Sequence, residues 1–348
     1  MPKFKIIITT AFLGLGALVV KDVLTPVSLG AAGIAFRTAY APVRETDVLF
    51  NIWYPAKAGG REITVGGNGV FYGTNAGVNA PRLSGRFPLV LISHGSGGNA
   101  GQFGWIASRL AEAGYVVVLP NHPGTTSGNA SAEAAVRVWE RPADLTAVLD
   151  EITQNSDDYP YIDTDRIAAL GFSAGGYTAM AVSGARVDPV ALQEFCDTTD
   201  HGMSDCAFLK RGGVDLHAMD LSPASQDLTD LRIKAAVIID PGIVETLTDE
   251  SLAQINIPML IVNLGAQGDV PIGVDATHAA GLIPNAQFAR VDDAVHFSFL
   301  AECKPNGPAI LAQEGELDLL CDDAGGRDRA ALHRELQGII TAYLNDML

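Results

Sequence analysis

A serine flanked by small residues, Gly171-Phe172-Ser173-Ala174-Gly175, can expose its hydroxyl on a sharp strand-to-helix turn, because the small neighbours relieve the crowding of that turn. A hydroxyl is a weak nucleophile until a base takes its proton and a third group orients the base. Of the 7 histidines, His278, His296 and His333 lie beyond residue 229. His278 and His333 fall within helical patterns, where such residues are ordinarily solvated. His296 follows a short strand-like run, 287–291, and the turn Asp292-Asp293-Ala294, a loop position from which an imidazole can reach the serine. Two carboxylates follow strand-like runs: Asp240, fixed before Pro241, and Asp269, in a later and freer loop. Either could orient the base, whereas Asp292 and Asp293 are too near His296 in sequence and read as turn residues. A developing oxyanion needs backbone donors, and the amides of Ala174 and of Ser96, in Ser93-His94-Gly95-Ser96-Gly97-Gly98, are the candidates.

These residues need a frame. Nearly continuous apolar runs at 88–93, 115–119, 167–172, 233–239 and 258–263 suit strands buried on both faces. Helical stretches at 102–112, 132–154 and 174–183 separate them, which gives parallel strands joined by right-handed crossovers. The class is α/β, and the turn at Ser173 specifies the α/β-hydrolase fold: a mostly parallel central sheet with helices on both faces. Residues 34–40 and 48–54 predict an antiparallel opening hairpin. Residues 61–86, rich in Gly and Asn, read as a long loop. Two segments break the alternation: 185–229, expected as a cap insertion, and 302–327, before a last amphipathic helix over 330–344. Gly95, Gly97 and Ala100 also fit a dinucleotide-binding fingerprint. That reading requires an acid at the end of the next strand, and Leu119-Pro120-Asn121-His122 offers none. No cofactor and no metal are expected.

A formal charge of −17, with 23 Lys and Arg against 40 Asp and Glu, disfavours nucleic acid as a partner. Lys3 and Lys5 precede an apolar run at 6–20 that ends at Lys21 and Asp22, the pattern of a secretory signal. Residues 1–30 are expected as a leader cleaved near Ser28 to Ala32, with a retained membrane anchor as the alternative, and 31–348 as the hydrolase domain. Membrane contact is expected only if that segment is retained. An exported, periplasmic or secreted chain can close disulfides. Loop locality pairs Cys196 with Cys206 and Cys303 with Cys321, one of three possible connectivities.

The assembly resembles bacterial relatives of the plasma-type platelet-activating factor acetylhydrolases, also labelled predicted dienelactone hydrolases. The likeness runs from about Trp53 to Phe297. It rests on Trp53-Tyr54-Pro55-Ala56, Ser93-His94-Gly95, Asn121-His122-Pro123-Gly124, Arg141-Pro142-Ala143-Asp144, Gly171-Phe172-Ser173-Ala174-Gly175-Gly176 and Val295-His296-Phe297. The resemblance implies cleavage of short-chain carboxylic esters, small-molecule or lipid, through an acyl-enzyme on Ser173 with His296 as base. It places the acid on the strand after the serine's helix, at Asp240, with Asp269 the alternative. The dienelactone chemistry is associated with a cysteine nucleophile, where this chain has Ser173. A polyester hydrolase, a lipase or a non-catalytic binding protein of the same fold are the other readings.

Overall fold

The computed structural model describes residues 27–28, 30–197, 201–316 and 318–348. Nearly all of the expected leader, 1–30, lies outside the described residues. Among those described, no helix is long and apolar enough to cross a membrane.

Among the described residues, ten strands form one sheet: β1 Ala32–Ala41, β2 Thr46–Pro55, β3 Arg61–Val65, β4 Thr74–Val78, β5 Phe87–Ser93, β6 Val116–Pro120, β7 Ile162–Ser173, β8 Ala235–Pro241, β9 Met259–Leu264 and β10 Ala286–Val291. The order across the sheet is β10-β9-β8-β7-β5-β6-β2-β1-β4-β3. The six strands from β10 to β6 run parallel, and β1 and β2 pair antiparallel, Ala32 opposite Pro55, as the sequence pattern requires. Helices α1 Gly104–Glu112, α2 Ala132–Val136, α3 Glu140–Gln154 and α4 Ala174–Val182 follow the central strands. Side chains of α3 and α4 pack on one face of the sheet, and those of α1 and the last helix, Arg329–Met347, on the other. This is the α/β-hydrolase fold. Strands β8 and β9 are buried along their whole length, which is why they read as unbroken apolar runs.

Three expectations need correction. Residues 61–86 are not a loop throughout: β3 and β4 pair antiparallel, Arg61 opposite Val78, at the edge of the sheet. Half-exposed edge strands carry no core face long enough to leave a period in the sequence. The stretch 132–154 is two helices, broken at Arg137, whose ψ of 58° is not helical. His333 is buried, not solvated. Its ring stacks on Trp105 at 3.7 Å between centroids, and its Nε2 bonds the Ser298 and Leu300 carbonyls, each at 3.0 Å.

The excursion 185–229 carries two short helices, α5 Pro189–Glu194 and α6 Asp205–Arg211, joined by the Cys196–Cys206 disulfide. Cys303–Cys321 closes the second bridge, so both pair as loop locality predicts. The Cys303 bridge staples the chain just after the helical turn His296–Phe299, and the backbone at Cys303 also pairs with Phe71. Replacing Cys303 and Cys321 together by serine should lower the unfolding free energy by about 3 kcal/mol, the loop-closure value for a bridge of this span. Equilibrium unfolding in urea measures it, and unchanged stability would contradict the account.

Candidate active site

The turn from β7 into α4 is built by exclusion. A Cβ on Gly171 would stand 1.8 Å from the Gly175 carbonyl oxygen, one on Gly175 1.9 Å from the Ser93 oxygen, and one on Gly176 2.7 Å from the Pro241 Cα. No side chain fits at these points, so the turn closes directly onto the ends of β5 and β8. Ser173 adopts φ 55°, ψ −126°, a strained conformation for a residue with a Cβ. Its side chain makes no helix-capping bond. The Gly242 amide donates to the Ser173 carbonyl at 2.8 Å, tying the turn to the segment after β8.

That segment carries Asp240. The β7–β8 ladder passes from Phe172 opposite Ile239 to Ser173 opposite Pro241, skipping Asp240, whose φ is 41°. Its fully buried carboxylate accepts from Asn263 Nδ2 at 2.8 Å and the Leu264 amide at 2.9 Å through Oδ1. Oδ2 faces His296 Nδ1 at 3.0 Å. The acceptor-only carboxylate fixes the proton on Nδ1 and leaves Nε2 as the basic nitrogen. His296 is buried, lies against Phe172 with ring centroids 4.6 Å apart, and its Nε2 has no hydrogen-bond partner. His296 thus packs against the residue that precedes Ser173, and its Nε2 makes no hydrogen bond to the serine hydroxyl, an arrangement common before substrate binds. Asn263 was not anticipated. It also donates to the Val274 carbonyl at 2.9 Å and accepts from the Ala276 amide at 3.0 Å. Its one sequence signal is a lone polar residue within Pro258-Met259-Leu260-Ile261-Val262-Asn263-Leu264.

Ser173, Ala174 and Ser96 line one cleft. The glycine loop lies over the serine, since a Cβ on Gly95 would be 3.2 Å from Ser173 Cβ. Its walls are largely apolar: Val136 and Val138 before α3, Leu192, Phe195 and Phe208 from the 185–229 excursion, and Ile243 after β8. Residues 61–86 contribute none of the lining; the hairpin they form sits at the far edge of the sheet. Asp269 is exposed in a second cleft that His296 also lines, and it does not bond the imidazole.

A second Ser-His-Asp array lies behind the glycine loop. Ser93 Oγ is 2.9 Å from His122 Nε2, and His122 Nδ1 is 2.8 Å from Asp144 Oδ2, with Arg44 Nε donating to Asp144 at 2.8 Å. All three members have no exposed surface. No substrate reaches this serine, so identical residue types serve structure here.

The Prolyl oligopeptidase family model matches residues 101–189, which include the Ser173 turn. Among curated proteins, the chain is 30% identical over 172 residues to "Putative esterase NocK" of Nocardia uniformis, covering 46% of this chain and 49% of that protein. It is 32% identical over 107 residues to dipeptidyl-peptidase 5 of Aspergillus fumigatus, covering 29% of this chain and 14% of that one. The chain thus matches about half, or far less, of the length of these relatives. Among solved structures, a ferulic acid esterase from Streptomyces cinnamoneus aligns with TM-score 0.60 at 17% identity over 94% of this chain and 91% of that chain. A dienelactone hydrolase-like promiscuous phosphotriesterase, P91, from metagenomic libraries aligns at 0.50 and 16% over 90% and 99%. These structures share the fold.

Three of the buried imidazoles, His94, His122 and His333, resist protonation in the fold. Desolvation, reinforced by the Arg141 charge, holds His94 and His122 well below the ordinary imidazole range, and burial takes His333 down to about 4. Burial lifts Asp144 the other way, to about 6. A depressed imidazole stays neutral when folded and takes a proton once unfolded. Its stabilisation is complete above about pH 6.5 and is lost as pH falls through that value, whereas the raised carboxyl acts oppositely between about pH 6 and 3.8. Burial raises the carboxyls of Asp205 and Asp318 as well, so the carboxyls offset the histidines increasingly as pH falls below about 6, and the histidine loss shows most clearly between about pH 7 and 6. Urea unfolding across about pH 7 to 6 should show stability falling with pH, and a flat or rising profile there would contradict these burial states.

Proposed function

We propose that the protein is a serine esterase that cleaves short-chain carboxylic esters through an acyl-enzyme. The observation that carries this reading is the His296 imidazole, held through Nδ1 by buried Asp240 with Nε2 unpartnered and packed on Phe172, the residue before a serine on a strained turn. His296 takes the proton of Ser173 as its oxygen attacks the ester carbonyl. Asp240 holds the tautomer and offsets the charge of the imidazolium. The Ser96 and Ala174 amides bind the oxyanion. The imidazolium then gives its proton to the leaving alcohol, and a water, deprotonated by His296, attacks the acyl group and restores Ser173.

The apolar cleft supports a short aliphatic acyl group, and the 185–229 excursion acts as its cap, since Leu192, Phe195 and Phe208 stand in the wall. The acetylhydrolase-like subgroup remains the assignment that the sequence motifs support. Two disulfides fit an exported protein. A second reading, a peptidase, is favoured by the Prolyl oligopeptidase match and by the dipeptidyl-peptidase. Turnover of p-nitrophenyl butyrate against that of a dipeptidyl p-nitroanilide separates the two.

Ser173→Ala should lower kcat on p-nitrophenyl butyrate by on the order of 10⁴-fold or more; unchanged turnover would overturn the assignment. Asp240→Asn should cost on the order of 10³ to 10⁴-fold, because the amide favours the wrong imidazole tautomer. Asp269→Asn, at an exposed carboxylate, should turn over like wild type. A large loss confined to Asp269→Asn would make that residue the acid.

A further inference from the structure

Arg141 is almost wholly buried, 1% exposed, yet it forms no ion pair among the described residues. A buried guanidinium without a directly paired carboxylate is expensive, so its hydrogen bonds must return the cost. They all go to the frame of the candidate active site. Nη2 donates to the His94 carbonyl and, at 3.3 Å, to Ser93 Oγ. Nη1 donates to Thr125 Oγ1 at 2.6 Å, and Nε to Thr178 Oγ1 at 3.1 Å.

The acceptors sit on three separate pieces of backbone. His94 opens the glycine loop that ends in Ser96, Gly97 and Gly98. Thr125 is bound to the same loop from outside, the Gly97 amide donating to its carbonyl at 2.9 Å. Thr178 lies one turn into α4, and its hydroxyl donates to the Ala174 carbonyl at 2.8 Å. One planar, rigid fork therefore spans the loop that carries the Ser96 amide and the helix start that carries the Ala174 amide. Arg141 also reaches the wall of the cleft that these two residues line.

The buried Ser93–His122–Asp144 array fixes the orientation of the fork. Arg44 holds Asp144, so Asp144 accepts the His122 Nδ1 proton, His122 Nε2 accepts the Ser93 hydroxyl proton, and Ser93 Oγ is left to accept from Arg141. Every proton in the chain has one direction. The negative charge that balances Arg141 is thereby kept two side chains away, and the guanidinium remains free to grip the backbone.

We propose that Arg141 is the positioning residue of the oxyanion hole: its guanidinium, locked across the His94 carbonyl and the Thr125 and Thr178 hydroxyls, sets the separation and aim of the Ser96 and Ala174 amides. The proposal rests on the esterase reading above. It requires a planar fork, so lysine, a point donor on a flexible stem, is no substitute.

The test uses the full chain carrying Arg141→Lys, Arg141→Met, Thr178→Val or Thr178→Ser, with functional sites counted by fluorophosphonate titration. Measured per titrated site on p-nitrophenyl butyrate, both Arg141 variants should lose about 100-fold in kcat, the scale of a small misplacement of catalytic groups, with KM nearly unchanged. Affinity for an alkyl trifluoromethyl ketone, whose adduct carries the oxyanion, should fall in the same proportion. Affinity for a non-reactive amide analogue should not. Thr178→Val, which removes one acceptor of the fork, should lose kcat in the same pattern, and Thr178→Ser should recover it. A normal kcat per titrated site in the Arg141 variants, with only the fraction of folded protein reduced, would overturn the proposal. If the Arg141 variants do not fold, a wild-type kcat in Thr178→Val overturns it equally. Absence of any Ser173-dependent turnover in the wild type would overturn the esterase reading itself, and this proposal with it.

Discussion

The structure depends on a steric constraint at one turn. Gly171, Gly175 and Gly176 leave no space for a Cβ, so β7 passes into α4 in direct backbone contact with the ends of β5 and β8. That contact drives Ser173 into a conformation that costs on the order of 1–3 kcal/mol and leaves its side chain without a helix-capping bond. The β7–β8 ladder slips by one residue at the same level. The slip frees Asp240 from the ladder and brings its carboxylate to His296 Nδ1. Asp240 and His296 thus pair beside Phe172, the residue before Ser173, where three glycines let the strands end at one place.

Two Ser-His-Asp arrays occupy this chain, and environment separates their roles. Ser93, His122 and Asp144 are sealed, and Arg44 and Arg141 close the ends of their hydrogen-bond chain. Ser173 lines a cleft, and the far nitrogen of His296 is left without a partner. A satisfied network rigidifies; an unsatisfied basic nitrogen beside a cleft is available for proton transfer. The satisfied array supports the loop over the unsatisfied one.

Much of this was legible in the sequence, for physical reasons that also mark the limits. Strands β5 to β9 are buried on both faces and so appear as apolar runs, and the Ser173 turn appears as glycines because only glycine fits. His296 could be chosen over His278, which is on an exposed helix and pairs with Asp249 at 2.9 Å. His333 could not be read: its burial depends on stacking with Trp105, from a distant helix. The β3–β4 hairpin was hidden because edge strands lack a periodic core face. The residues alone left Asp240 and Asp269 open and the resemblance favoured Asp240; the ladder slip that presents its carboxylate to His296 is reported by no residue pattern. Arg141 and Asp144 were visible as a motif, but their partners Ser93, His94 and His122 come from other elements.

The central claim is that Ser173 is the activated hydroxyl and that His296, held by Asp240, activates it. Reaction with a fluorophosphonate followed by peptide mass mapping tests this most directly. The account predicts one adduct per molecule, on the peptide bearing Ser173, and its loss in His296→Ala. An adduct on Ser93 or Ser96, or labelling of Ser173 that persists unchanged in His296→Ala, would contradict it.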